Sequence, residues 1–410
     1  MADTPIVEGP LTGVRVVDLT QFVSGPHCTL WLASLGAEVI KVESPTRPDP
    51  FRLSQLKKGE KPTLNNSAVF VGTNLMKRSC VLDTRTEAGL ELCRQLVEQS
   101  DVVVSNFRPG VLEGMGLGYE DLSERNNDLI YAALSGFGSD SDYAPFLAFG
   151  PSIHAFSGLA TSTGYPGGGA EQIFGTYSDI LAGQAMTLAI VSALYGRNEG
   201  AGGCFIDLSM IEATIATAPE TVLRAGADEP FRAIGNQEEG FAPHGCYPCA
   251  GEGDSWIAIA TFDDDEWQSV ARSLEFPDDV VATYADAAYR WEHREELDAV
   301  ISRVTATRGA SELSDQLQSV GVAAEPVRTA ADVFEDKHLL TSGFFGEVTH
   351  NELSMAVLPK LPWSIEVDGV TSRPIGPAPD MGEHTDRILR DVLGMTDDGI
   401  ELARSGGAFG

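Results

Sequence analysis

The first forty residues follow a strand, helix, strand pattern that constrains the fold more than any other part of the chain. The run GVRVVDLT at 13–20 is β-branched and suits a strand buried on both faces. A turn with Gly25 and Pro26 leads into the apolar stretch CTLWLASLG, which is typical of a helix ended by Gly36. AEVIKVE at 37–43 then predicts a second strand. Because such crossovers join parallel strands, we predict a parallel α/β sheet.

The alternation continues along the chain and divides it into three segments. Further strands are predicted at 80–83, 101–107, 128–136 and 204–209, and helices at 86–100, 180–194 and 210–225. After a turn-rich stretch the pattern changes to one strand, WIAIA, with helices at 264–274, 293–303 and 310–320, and a terminal helix at 382–393. We therefore predict a large first domain over 1–225, a smaller α+β domain over 226–330 and a C-terminal segment over 331–410.

Charge and composition exclude several classes of function. The chain has 410 residues with 60 acidic against 28 basic ones, a net charge of −32, which repels nucleic acids and anionic membranes. The longest apolar run, around 185–195, is shorter than the ~20 residues that span a bilayer. The opening MADTPIVEG lacks the features of a secretion signal, and six cysteines are too sparse for a disulfide framework. We expect a soluble, cytoplasmic protein with reduced thiols.

Most of the local motifs carry little chemical information. Glu43 ends the second strand, where nucleotide-binding folds hold a ribose, but the preceding turn QFVSGPHC lacks the spaced glycines of a dinucleotide site. Cys246 and Cys249 form a lone CxxC without a second pair, which does not indicate a metal site. His154 and His244 could each act as a base, although single histidines are more often structural. No metal site is predicted.

Asp179 is the most informative carboxylate. GTYSDILAG places it at the start of an apolar helix, directly after the Gly-rich segment GYPGGGAEQ, which we expect to be a mobile connection. An acid in the first turn of a helix is favoured by the helix dipole by ~0.3–1 kcal/mol, so a structural role explains it as well as a functional one. The same free backbone N–H groups could also hold a reactive carboxylate ionised.

Seven blocks in order resemble the family III CoA-transferases. They are LTGVRVVDLT with LASLGAEVIKVESP, NLMKRSCVLD, NFRPGVLEGMGLGYEDL, YAALSGFG, YSDILAG, APHGCYPCAGEGDSW and APDMGEHTDRIL. The resemblance covers nearly the whole chain. It implies a Rossmann-like large domain with a parallel sheet built from both chain ends, a small domain between them, and two interlocked subunits.

The resemblance also implies a covalent mechanism on an acyl-CoA thioester, without a tightly bound cofactor. Asp179 matches the catalytic aspartate of the family, which attacks the donor thioester to form a mixed anhydride and then an aspartyl-CoA thioester. The chain looks most similar to members that use succinyl-CoA with aryl or alkyl dicarboxylic acids such as benzylsuccinate. Its partners would be an acyl-CoA, a carboxylic acid and either an identical or a homologous subunit.

Further site residues are carried over by their positions in these blocks. Lys77 and Arg78 match contacts to the CoA phosphates; the remaining matches are Asn106, Phe107 and Met115 for the nucleotide and pantetheine, and Gln21, Phe22 and Val23 for the acyl pocket. Ser44 and Gly114 stand where formyl-CoA transferases carry basic residues, so the phosphate contacts could shift to Arg47, Arg52 or Arg108. Val23 replaces a polar pocket residue, which argues against oxalate as acceptor.

Two alternative functions stay open at this stage. An acyl-CoA racemase needs two bases beside the α-carbon, and the matching positions hold Phe149 and Asp263, with His154 a few residues away. A non-catalytic subunit that supports a homologous catalytic chain is the other alternative, and the presence of Asp179 argues against it.

Overall fold

The computed structural model describes residues 8–54, 63–173, 175–229, 233–251, 253–352, 354–367, 370–372 and 374–410. The described chain forms two compact units. Unit 1 comprises the described parts of 1–160, 172–230 and 341–410, and unit 2 those of 161–171 and 231–340. The predicted division at 225 and 330 differs from these bounds by five to ten residues, and the sequence pattern does not predict that 161–171 belongs to unit 2.

Strands and helices alternate through the described parts of residues 15–135. The strands are β1 (Arg15–Asp18), β2 (Glu38–Glu43), β3 (Arg78–Val81), β4 (Val102–Ser105), β5 (Ile130–Ser135), β6 (Cys204–Ser209), β7 (His244–Pro248), β8 (Trp256–Ala260), β9 (Ala323–Pro326), β10 (Phe345–His350), β11 (Ser354–Pro359), β12 (Ile365–Val367) and β13 (Val370–Ser372). The α-helices are α1 (Ser24–Ser34), α2 (Ala68–Thr73), α3 (Glu87–Glu98), α4 (Tyr119–Ser123), α5 (Gly150–Phe156), α6 (Leu159–Ser162), α7 (Tyr177–Asn198), α8 (Met210–Ile215), α9 (Pro219–Gly226), α10 (Asp264–Ser273), α11 (Asp278–Thr283), α12 (Ala287–Glu292), α13 (Arg294–Thr305), α14 (Ala310–Ser319), α15 (Ala330–Phe334), α16 (Lys337–Thr341), α17 (Thr385–Asp391) and α18 (Asp397–Ser405).

Unit 1 is built on a six-stranded sheet in the order β3-β2-β1-β4-β5-β6, with every neighbouring pair parallel. Successive strand residues enter different cores: Val17 and Ile40 pack in one buried cluster, Val16 and Val39 in the other. A strand buried on both faces needs the continuous β-branched sequence from which it was predicted. The α/β class with a parallel, Rossmann-like strand order is confirmed.

The C-terminal segment returns to unit 1 without adding a strand to this sheet, because all six strands lie between residues 15 and 209. It covers the edge strand β3 instead. The N–H of His384 donates to the carbonyl of Ser79 at 3.0 Å, and the N–H of Val81 donates to Thr385 Oγ1 at 2.9 Å. The prediction of a sheet built from both chain ends was therefore wrong, since the C-terminal end supplies polar groups that satisfy an open sheet edge.

Two predicted helices differ from those observed. The helix predicted over 210–225 is interrupted between α8 and α9, because Pro219 follows and keeps Ala218 out of the helical conformation, at φ −131° and ψ 56°. Helix α7 has 22 residues, longer than the apolar run in the sequence, and among the described helices it alone is long and apolar enough to span a membrane. It is a core helix of unit 1, with Ala182, Met186 and Ile190 fully buried beside the sheet.

Unit 2 contains the antiparallel sheet β7-β8-β9 and a core of its own around the buried Trp267. The Gly-rich segment before Asp179 is anchored here. The N–H of Gly235 donates to the carbonyl of Gly164 at 2.9 Å, and Asn236 Nδ2 donates to the Tyr165 hydroxyl at 3.0 Å. These bonds restrict the freedom expected of the segment at Gly164 and Tyr165.

Candidate active site

Asp179 lies in the first turn of α7 and its carboxylate points at the start of α5. The carboxylate accepts hydrogen bonds from its own backbone N–H and from that of Gly150. Burial is the stronger influence and raises the pKa of Asp179 to about 6 in spite of both bonds. A partly desolvated carboxylate held only by backbone donors is a better nucleophile than one paired with a cation.

Gly150 is required by this contact. A Cβ at position 150 would lie 2.2 Å from Asp179 Oδ2 and 2.4 Å from the carbonyl oxygen of Gly175. No side chain fits between these groups, so the backbone of α5 approaches the carboxylate directly. Any larger residue would displace either the first turn of α7 or the carboxylate itself.

A second close approach brings the second turn of α7 to the first turn of α1. At Gly183, one turn after Asp179, a Cβ would lie 2.7 Å from the carbonyl oxygen of Ser24 and 3.2 Å from His27 Cδ2. The backbones of α7 and α1 touch at this point. This approach brings α7 to the end of the turn that precedes α1, which contains Gln21, Phe22 and Val23.

That turn is clamped from two sides. The N–H of Gln21 donates to Asn106 Oδ1 at 2.8 Å, and Asn106 Nδ2 donates back to the Gln21 carbonyl at 2.7 Å. Phe22 has φ 65°, a conformation that a residue with a bulky side chain rarely adopts, and its N–H donates to Asp49 Oδ1 at 3.2 Å. The side-chain amide of Asn106 is therefore hydrogen-bonded to the turn. Val23, the residue before α1, is buried.

Three phenylalanine rings meet at the turn. The Phe22 ring contacts those of Phe51 and Phe149 edge to face, with centroids 5.5 and 5.4 Å apart. Phe149 directly precedes Gly150, so this group, the aromatic trio, reaches the residue that contacts Asp179. The trio forms an apolar surface that includes the residue before Gly150.

A cavity of about 680 Å³ opens at the carboxyl ends of β1 to β4, where parallel α/β sheets bind ligands. Its lining includes three of the predicted site residues, Gln21, Phe107 and Met115, together with the two departures Ser44 and Gly114. The structure thus brings the blocks that were predicted to hold a nucleotide and pantetheine to one cavity.

The cations at this cavity differ from those predicted. Lys77 is fully buried and its Nζ donates to Asp18, Asn74 and the Pro26 carbonyl, so it has no donor left for a phosphate. Arg78 begins β3 at the opposite edge of the sheet and binds Glu38 at 2.5 Å. Within the described part of the chain, both side chains are therefore paired with protein groups.

Of the three arginines considered in their place, Arg47 lines the cavity. Arg52 is buried in an ion pair with Glu43 at 2.8 Å, and the exposed Arg108 donates to the Pro145 carbonyl. Arg47 is exposed and lines the cavity, as does Arg85, which also binds Asp83. Arg85 was missed, although its place in the loop that follows β3, at the carboxyl edge of the sheet, is a signal that could have identified it.

The remaining sequence candidates have structural roles. The ion pair with Arg52 occupies the Glu43 carboxylate, which excludes a ribose contact. Cys246 lines a cavity of unit 2 whereas Cys249 packs against its core, so the two thiols do not converge on one ion. His154 is buried with neither ring nitrogen hydrogen-bonded, and His244 Nδ1 bonds the carbonyl of Asn236 at 2.8 Å.

The pair of bases that a racemase needs is not formed by the matching residues. Phe149 has no titratable group, and Asp263 caps α10 by accepting the N–H of Glu266 at 2.8 Å. His154 is buried, and burial lowers the pKa of its imidazole. No observation favours the racemase.

Comparison with known proteins gives a consistent assignment. The model of CoA-transferase family III matches residues 11–385. A succinyl-CoA:mesaconate CoA-transferase of Haloarcula hispanica is 32% identical over 94% of this chain and 96% of its own. A succinyl-CoA–D-citramalate CoA-transferase of Chloroflexus aurantiacus is 32% identical over 97% of both chains. The crystal structure of a CAIB/BAIF family protein from Brucella suis superposes with a TM-score of 0.82 at 28% identity, over 94% of this chain and 99% of the other. The chain is a member of CoA-transferase family III.

Proposed function

We propose that the protein moves CoA from a donor thioester, succinyl-CoA first among the candidates, to an organic acid, with Asp179 as the nucleophile. The observation that carries this proposal is the partly buried Asp179 carboxylate, which accepts backbone N–H groups and, among the described residues, is not paired with a cation, in a chain of this family. The relatives from Haloarcula hispanica and Chloroflexus aurantiacus are both named for transfer from succinyl-CoA to a carboxylic acid.

The chemistry runs through two kinds of intermediate on Asp179. An Oδ atom attacks the donor carbonyl, the C–S bond breaks, and a mixed anhydride and CoA thiolate form. The thiolate attacks Asp179 Cγ, releasing the donor acid and leaving an aspartyl-CoA thioester. The acceptor carboxylate then attacks Cγ and expels the thiolate, which takes the acceptor acyl group and restores the Asp179 carboxylate. No step consumes a proton or a cofactor.

The turn before α1 lies between the region that we assign to the CoA portion of the substrate and the region that we assign to its acyl group. Gln21 lines the cavity, which we assign to the nucleotide and pantetheine together with Phe107 and Met115, and Arg47 is assigned to the phosphates. Phe22 belongs to the aromatic trio, whose Phe149 directly precedes Gly150. A CoA thioester lying along this turn reaches from the cavity to the nucleophile. The Gly150 N–H can stabilise the oxyanion that forms on Asp179 when the thiolate attacks.

The direct test uses the purified chain with succinyl-CoA and a panel of carboxylic acids, and mass spectrometry of the products. We expect new acyl-CoA esters to form in equal amount to the succinate released, with little free CoA. Hydrolysis alone, or no turnover with any donor and acid, would contradict the proposal.

The pH dependence follows from the raised pKa of Asp179, since only the ionised carboxylate attacks. We expect kcat/KM to fall about tenfold per pH unit below about pH 6 and to be level above it. Initial rates across this range, with circular dichroism as a control for folding, check the prediction. A level profile down to about pH 5 would show that another group limits the reaction.

We further propose that two copies assemble as an interlocked dimer in the cytoplasm. Helices α7 and α9 expose apolar side chains, with Leu188 69%, Tyr195 70% and Leu223 73% exposed, and surfaces of this kind mark protein interfaces. The six free cysteines agree with a reducing compartment.

Sedimentation at nanomolar concentration tests the assembly. We expect about 87 kDa, twice the chain mass of 43.7 kDa, without dissociation on dilution. An active monomer, or activity that appears only with a second homologous chain, would contradict an interlocked homodimer.

A further inference from the structure

The loops that follow β2 and β3 form one side of the cavity that we assign to CoA, and residues 408–410 pack against both loops. We propose that Phe409 is a positioning residue for CoA, because it anchors residues 408–410 and through them holds Arg85 in place for the CoA phosphates. The inference rests on the proposed function, since it assumes that the cavity holds the CoA portion of the donor.

The contact between residues 408–410 and the two loops is close. The N–H of Asp83, in the loop after β3, donates to the Ala408 carbonyl at 2.7 Å. A Cβ at Gly410 would lie 3.3 Å from Ser44 Oγ, in the loop after β2, and 3.5 Å from Asp83 Oδ2. Gly410 therefore lies directly against both loops, and any movement of this segment would release them.

The Phe409 ring anchors the segment. The residue is 8% exposed and packs in the same buried cluster as Leu82 and Leu92. The guanidinium carbon of Arg404 lies 5.0 Å from the centroid of the ring. Since the neighbours of Phe409 are alanine and glycine, its ring supplies most of the apolar area that the three residues bury. Without the ring, a segment outside helices and strands has little to hold it in position.

Asp83 connects the segment to Arg85. Its carboxylate accepts the Arg85 backbone N–H at 3.1 Å, Nε at 2.9 Å and Nη2 at 2.6 Å. Arg85 Nη2 also donates to the hydroxyl of Thr46, which is hydrogen-bonded to Ser44 Oγ at 2.7 Å. The guanidinium is fixed along one edge, while the side chain stays 49% exposed and lines the cavity. A cation that is positioned before the ligand arrives loses less entropy on binding than a mobile one.

The anchor and the nucleophile lie on different sides of the sheet. Phe409 packs in the same cluster as Val17. Met186, on the helix that carries Asp179, packs in the other cluster with Val16. Successive residues of a strand point to opposite faces of its sheet. Loss of the Phe409 ring should therefore weaken the contact with the phosphates and leave the reaction at Asp179 unchanged.

The test uses two donors that differ in their phosphates. Succinyl-pantetheine has the same thioester as succinyl-CoA but carries no phosphate. We expect Phe409→Ala to lower kcat/KM for succinyl-CoA about tenfold, through KM, and to change kcat/KM for succinyl-pantetheine less than about twofold. Phe409→Leu keeps an apolar side chain and should lower kcat/KM for succinyl-CoA only about threefold. The KM for the acceptor acid should not change in either variant.

A double variant tests whether Phe409 acts through Arg85. Arg85→Ala alone should lower kcat/KM for succinyl-CoA about tenfold. Adding Phe409→Ala should lower it less than about twofold further, because the side chain that Phe409 positions is already gone.

Leu129→Ala is the matched control. Leu129 is fully buried in the same cluster but directly precedes β5, at the edge of the sheet opposite to the cavity. Like Phe409→Ala, it should lower the free energy of unfolding, which urea denaturation measures, but it should leave the ratio of kcat/KM between the two donors unchanged.

The inference and the proposed function fail in different ways. An unchanged donor ratio in Phe409→Ala, an equal change in Leu129→Ala, or independent effects of Phe409→Ala and Arg85→Ala would overturn the inference and leave the proposed function in place. If Phe409→Ala does not fold, the donor ratio of Phe409→Leu decides in the same way. Absence of transfer by the unmodified chain, from either donor to any acid, would overturn the proposed function as well.

Discussion

Replacing Asp179 by asparagine is expected to reduce CoA transfer at least a thousandfold, about 4 kcal/mol in the activation free energy. Asparagine has nearly the same shape and can still accept the N–H of Gly150, but its neutral amide is a poor nucleophile. CoA binding should be nearly unchanged, because the cavity lined by Gln21, Phe107 and Met115 is untouched.

Trapping of the covalent intermediate with hydroxylamine would give positive evidence that Asp179 is the nucleophile. Hydroxylamine added during turnover should convert Asp179 to a hydroxamate, detectable by peptide mass, and only when an acyl-CoA is present. The Asp179→Asn protein serves as the control and should give no adduct. If the variant keeps activity within about tenfold of the parent, the nucleophile assignment is wrong, and the chain is better interpreted as the supporting subunit of a two-chain enzyme.

The same substitution should stabilise the protein, which distinguishes a functional carboxylate from a structural one. The pKa of Asp179 is about 6 in the fold against an ordinary 3.8, so ionisation is harder in the folded state than in the unfolded chain. The resulting loss of stability develops as the pH rises from about 4 to about 6. We expect Asp179→Asn to raise the unfolding free energy by about 1–2 kcal/mol at neutral pH and not at about pH 4. If the carboxylate only capped the helix, the substitution would instead lower the free energy of unfolding of the protein.

The sequence predicts the strands of the unit 1 sheet well because the burial of a strand determines the residue types along it. A strand enclosed on both faces must be apolar along its length, so β1, β2 and β4 are visible as β-branched runs. The same reasoning locates Asp179 at the start of α7, since a helix that begins after a Gly-rich segment is also a local feature. The local pattern did not predict the break at Pro219, because one apolar pattern continues across the two helices α8 and α9.

Contacts between segments that are far apart in the sequence are not predicted by any local pattern. Gly150 is an ordinary glycine in the sequence, and its role is fixed by a carboxylate 29 residues further along the chain. Lys77 and Arg78 were assigned to phosphates by their positions in the block NLMKRSCVLD, yet whether a lysine is exposed depends on which acid folds against it. Arg47 and Arg85 come to one cavity only because parallel strands end at the same edge.

Buried charged side chains next to the turn that precedes α1 are the basis of the second prediction, which concerns stability. Asp18, Lys41, Lys77 and Asp49 are all fully buried. Asp18 binds Lys77 Nζ at 3.0 Å and accepts the Thr29 hydroxyl at 2.6 Å. Burial alone would raise the pKa of Asp18, but the charges of Lys77 and Lys41 and the hydroxyl donors outweigh it and hold the pKa at about 2. The carboxylate is therefore ionised at neutral pH and, together with Asp49, balances the enclosed ammonium groups of Lys77 and Lys41.

Asp18→Ala is expected to lower the free energy of unfolding by about 3–5 kcal/mol, because it leaves Lys77 and Lys41 buried with too little negative charge. That is a large part of the ~5–15 kcal/mol by which a domain is usually stable. Since the folded pKa of Asp18 is depressed, its contribution is present above about pH 4 and is lost as the pH falls toward 2.

Urea denaturation of Asp18→Ala, Lys77→Met and the double variant measures the effect and its cause. The double variant should be more stable than Asp18→Ala, because removing the orphaned ammonium relieves the uncompensated charge. Lys41 also donates to the Thr20 carbonyl at 2.8 Å, directly before the turn, so Asp18→Ala should loosen the acyl pocket and raise KM for the acceptor. A loss below about 1 kcal/mol, or additive effects in the double variant, would mean that water reaches these charges and that they do not hold the turn.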